Sequence, residues 1–174
     1  MIKSEFFRIA ATGNKTIVSS GGIIHLVMKT VHALRELDLH QRGILAQIDS
    51  ALPLLRLPPA RAQPALAKAR WQMVRLLHAY QSFKHGEIFD PAIRSGTAAQ
   101  IRAASRMKAD CIAAGEAFRT YVQRWSSTGV TTEWDAYVPA MVAMADQLRA
   151  HVATERRTVE ALLAGAERTR RLAG

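Results

Sequence analysis

A chain of 174 residues, 49% of them apolar, is long enough to bury one substantial core and most simply forms a single domain. Its one cysteine, Cys111, excludes an intrachain disulfide, and no run of about 18 apolar residues offers a membrane span. The net charge of +10 comes mostly from Arg spread along the whole chain, clustered only at Arg168, Arg170 and Arg171, which reads as a solvated surface rather than a nucleic-acid face.

Residues 1–22, MIKSEFFRIAATGNKTIVSSGG, carry a short apolar start and then the breaks Gly13-Asn14 and Gly21-Gly22. With no sustained period they are expected to be an extension, loosely packed or disordered. Residues 23–37, IIHLVMKTVHALREL, predict a helical segment in which His25 and His32 read as ordinary half-buried histidines. Over 38–55 the helical pattern continues, with Leu37, His40, Ile44, Ile48, Ala51 and Leu55 on one stripe. Pro53 frays that helix and Pro58-Pro59 must end it, because proline lacks the backbone donor and excludes helix just before it.

The stretch LRLPPARAQP predicts a loop, followed by a second helix over 65–89 with Val74, Leu77, Gln81, His85 and Ile88 in line. Asp90-Pro91 marks its end or a kink, and Ser95-Gly96 the turn. A third helix over 97–126 has the most regular stripe: Ala104, Met107, Cys111, Ala114, Phe118, Tyr121 and Trp125. After the loop SSTGVTTEWDAYVP, whose Trp134 and Tyr137 should cap one end of the core, a fourth helix covers 139–163. Its stripe of Met141, Met144, Leu148, Val159 and Leu162 passes through His151 and Glu155, four residues apart on one face. Long helices joined by short loops predict an all-α, antiparallel up-down four-helix bundle over 23–174, with its core in 37–163.

Each expected seam carries a polar or sulfur-bearing residue: His40, then Gln81 and His85, then Cys111, then His151 and Glu155. This one-two-one-two pattern resembles the hemerythrin-like (HHE) family of four-helix bundles, in which alternate helices give one histidine and a His-x-x-x-Glu type pair. His40 in LHQRGILAQI matches the first-helix ligand, and Gln81 and His85 in QSFKHGEIFDPAI match the second-helix pair with its following Pro91. Cys111 in KADCIAAGEAF takes the third-helix place, and His151 and Glu155 in LRAHVATERRTVEALL match the fourth-helix pair as it stands. Gln81, His85 and Cys111 depart from the family's residue types; His78, near the same face as Gln81, is a further candidate.

The resemblance implies a metal ion held by His40, His85, His151 and Glu155, with Gln81, Cys111 and His78 as weaker candidates. It implies iron, mononuclear or dinuclear, before zinc, in oxygen or redox sensing or in iron handling. The residues themselves leave two alternatives open. One is a metal-free bundle that acts on a protein partner through its outer face, with a satisfied His–Glu network in its core. The other, ranked last, is a metal-dependent oxidoreductase, which needs a substrate pocket and open coordination positions, neither of them evident. A cytoplasmic, non-enzymatic protein without membrane or nucleic-acid contact is the expectation.

Overall fold

The computed structural model describes residues 20–127 and 129–172, and every regular element among them is helical. Residues 1–19, most of the expected extension, lie outside the described residues, as do the side chains of His25, Arg170 and Arg171. Helix α1 runs over Ser20–Ala51, joining the expected 23–37 and 38–55 segments without a break. Pro53 then removes a ladder donor, and the chain tightens into a 3-10 turn over Leu52–Arg56, closed by Leu57 N–H on the Leu54 carbonyl.

Pro58 is extended, and α2 (Pro59–Phe83) starts earlier than expected, with Pro59 at its first position where no donor is needed. The stretch read as a loop is therefore helix, and Pro64 sits inside it. The second helix does not stop at Asp90-Pro91 either. A π-helical turn over Lys84–Phe89 leads into the short α3 (Asp90–Ser95). Pro91 has no N–H for the Glu87 carbonyl, and its ring would crowd that oxygen in a regular helix. Widening the preceding turn, with Asp90 N–H bonded to the His85 carbonyl, lets the helix pass the proline.

Helix α4 (Ala98–Ser127) opens on a reciprocal cap. Gln100 N–H donates to Thr97 Oγ1 at 3.3 Å, while Thr97 N–H donates to Gln100 Oε1 at 2.8 Å. The last helix, α5, is the longest at Trp134–Leu172, with Pro139 accommodated near its start. Helix α1 packs on α2 and α5, and α4 on α5 and, less extensively, on α2, so the four long helices enclose one core.

The main core draws Leu37, Ile44 and Ile48 from α1, Met73 and Tyr80 from α2, Met107, Cys111 and Phe118 from α4, and Leu148, Val152, Val159 and Leu162 from α5. A second cluster closes one end, where Trp125 meets Tyr137 edge-on at 5.0 Å and Ala62, Leu66 and Val130 pack around them. Trp134, at 5.9 Å from the Tyr137 ring, joins this cap as expected. Arg149–Asp49 at 2.6 Å and Arg156–Asp38 at 3.0 Å tie α5 to α1, but both are exposed and each adds little to stability.

Candidate functional site

Polar groups from all four long helices meet inside the bundle. The seam of α2 is set by Ala62, Leu66, Ala69, Met73 and Tyr80, one position away from the expected stripe, and it continues into Lys84 and Ile88. Lys84 is therefore aimed inward and is 1% exposed, while Gln81 and His85, to either side, are half-buried. The extra residue of the π-helical turn then buries both Ile88 and Phe89. In α1 the inward polar residue is Gln41 rather than its neighbour His40, for the same reason: the buried stripe is Ala33, Leu37, Gln41, Ile44, Ile48 and Ala51.

Glu155, 5% exposed, is the hub. Lys84 Nζ donates to its Oε1 at 2.5 Å, with both side chains almost wholly out of water. The ammonium also lies 3.8 Å from the centre of the Tyr80 ring and faces the Cys111 thiol. Gln41 Nε2 donates to the Tyr80 hydroxyl at 2.8 Å and to the Val152 carbonyl at 3.4 Å, joining α1 to the network. His151 Nε2 stands 3.6 Å from the second carboxylate oxygen, Oε2, which is buried and has no hydrogen-bond partner. His151 is at the edge of the centre, with 23% of its side chain exposed. It borders an open cleft of about 310 Å³ lined also by Met107, Asp110, Thr154 and Thr158.

Burial sets the protonation states. It pushes the Cys111 thiol up from its ordinary value, outweighing the pull of the Lys84 charge. It pushes His151 down, against the opposing charge of Glu155, so at neutral pH the imidazole is uncharged. Burial and then the Glu155 charge also push the Tyr80 phenol up. The Lys84–Glu155 pair thus sits among groups that burial keeps neutral. The residue types of a nucleophilic triad are present, but a buried thiol held in its protonated form is the reverse of an activated nucleophile.

Among the described residues, Cys111, His151 and Glu155 form a group whose ligand atoms all lie within 4.8 Å of one another. Of the expected metal set, His151, Glu155 and the weaker candidate Cys111 come together. His40 is elsewhere, packed on the rings of Tyr80 and Phe83 at 5.8 and 5.2 Å. His85 lies tilted against the Phe89 ring at 5.7 Å, with its Nε2 buried and unpartnered. Burial first, then the charges of Lys108 and Lys84, push its pKa down. His78 is exposed, and Gln81 lines a small void of about 30 Å³ beside Lys84, Cys111 and His151.

Lys84, Tyr80 and Gln41 are the members that a reading of the sequence passes over. A lysine in a helical stripe reads as a surface residue. The signal for it is the spacing of Leu66, Ala69, Met73 and Tyr80, which places position 84 on the buried face. Comparison with known protein families, with curated proteins and with solved structures finds no match to this chain.

Proposed function

We propose that the protein is an antiparallel up-down bundle of the hemerythrin-like kind that binds one divalent first-row metal ion through Cys111, His151 and Glu155. Its role on this reading is to bind or sense the ion rather than to catalyse a reaction. The observation that carries the reading is the close approach of the three ligand atoms, one sulfur, one nitrogen and one oxygen, contributed by two neighbouring helices. The unpartnered Oε2 of Glu155 supports the fit, since a buried carboxylate oxygen with no donor calls for a cation or a proton. Thiolate, imidazole and carboxylate together suit zinc or iron and disfavour magnesium or calcium. When bound, the metal would supply a Lewis-acidic centre at the edge of the cleft that His151 borders.

Magnitudes allow an ion to enter despite Lys84. Breaking a buried ion pair costs about 3–5 kcal/mol, whereas a complete structural zinc site gains about 10–16 kcal/mol. The test is metal analysis of protein purified without a metal-affinity tag, together with melting of wild type and His151→Ala with and without chelator. One bound metal per chain, a melting point lowered by chelator, and loss of both in His151→Ala are expected. A wild-type melting point indifferent to chelator, in protein free of metal, would refute the reading.

One observation favours a second reading. The Lys84 ammonium at 2.5 Å from Glu155 already gives the carboxylate a full positive charge. On that reading the bundle is metal-free and works through a protein partner. The same experiment separates the two, because only the first makes stability depend on chelator.

A further inference from the structure

We infer that Lys84 is a built-in competitor for the metal: its ammonium holds Glu155 in the metal-free protein and has to withdraw from that carboxylate for an ion to be bound tightly by Cys111, His151 and Glu155. The inference rests on the metal reading above and adds to it a means of setting the threshold for loading.

The geometry makes the two occupants rivals for one carboxylate. Lys84 Nζ is 2.5 Å from Glu155 Oε1, so an ion held on the free Oε2 beside His151 would share the carboxylate with a buried ammonium. The Cys111 thiol, a second member of the metal group, faces the same ammonium. Two cations sharing one buried carboxylate would repel each other with little water to screen them. Lys84 also has the means to move. Its flexible stem borders the void of about 30 Å³ shared with Gln81 and Gly115.

The consequence is a population effect. While Lys84 holds Glu155, the chain is not competent to bind, and the apparent affinity is lowered by the fraction of molecules in which the ammonium has moved away. Removing the ammonium while keeping Glu155, Cys111 and His151 should raise affinity. If fewer than about one molecule in ten is competent in wild type, Lys84→Met should bind at least about tenfold more tightly.

The experiment titrates zinc(II), and separately iron(II) without oxygen, into metal-free full-length wild type, Lys84→Met and Lys84→Gln against a chromophoric chelator. Lys84→Gln keeps a donor for Glu155 should Lys84→Met fold poorly. The rise in melting temperature at a fixed zinc concentration gives a second readout that also serves a destabilised variant. Expected are tighter binding and a larger zinc-induced rise in both variants than in wild type. Binding equal to or weaker than wild type, with a rise no larger, would overturn the inference while leaving the metal reading in place. No zinc or iron binding by wild type or either variant would overturn both.

Discussion

The Lys84–Glu155 pair offers a quantitative test of what holds the bundle together without any metal. Both side chains are nearly inaccessible, at 2% and 4% exposure, so removing either partner strands the other's charge in a core with little water. Lys84→Met and Glu155→Leu should each destabilise the metal-free protein by about 3–5 kcal/mol. For a domain of this length that corresponds to a melting point lower by roughly 6–20 °C. The double variant strands nothing and replaces the pair with apolar groups of similar bulk. It should lie within about 2 kcal/mol of wild type, or above it, so the two single losses are far from additive. Urea unfolding of the four proteins, with chelator throughout, gives the cycle directly. Single losses below about 1 kcal/mol, or a double variant near their sum, would show that the pair is solvated and the argument from burial is wrong.

Acid should weaken the fold from about pH 6.5 downward, the ordinary histidine value. His85 and His151 are both held below their usual pKa, so in that window the unfolded chain binds protons that the folded one refuses. Above it their contribution is constant; urea midpoints equal at pH 7.5 and 5.5 would contradict the assignment. Alkali should act with the opposite sign, because Cys111, Tyr80 and Tyr121 are all held above their ordinary values by burial. Above roughly pH 9 the unfolded chain gives up protons that the folded chain keeps, so stability falls. A phenol titration should show Tyr80 and Tyr121 ionising only together with unfolding. Gly86, in the π-helical turn, and Gly96, just after α3, should respond in opposite directions. Gly86 is exposed, with nothing within 4 Å of an added Cβ, so Gly86→Ala should stabilise by about 0.5–1 kcal/mol. At Gly96 a Cβ would clash with the Ala92 carbonyl oxygen, so Gly96→Ala should cost about 1–3 kcal/mol in thermal melts.

Periodicity alone determined that the described residues are all-helical, because apolar residues recurring at three and four positions have only one regular structure that gathers them on a face. It also placed α4 closely: Ala104, Met107, Cys111, Phe118 and Trp125 are buried as their spacing requires. The pair His151 and Glu155, and its nearness to Cys111, was legible for the same reason. What spacing could not settle was rotation about an axis by one residue, about 100°, since two adjacent stripes of α2 are both largely apolar. Tertiary packing chose the stripe ending in Tyr80 and Lys84 over the one ending in Gln81 and His85. It chose Gln41 over His40 in the same way, with Tyr80 and the Val152 carbonyl as the partners that make a buried amide tolerable. Proline is locally unfavourable in a helix, and the break at Pro58-Pro59 follows from that, whereas Pro64 falls inside helix α2 and not in a loop. At Pro91 a widened turn and the burial of Ile88 and Phe89 offset that cost, so the helix runs on. A lysine in the core is the extreme case: no local rule favours it, and only a carboxylate delivered by another helix, Glu155 on α5, makes it possible.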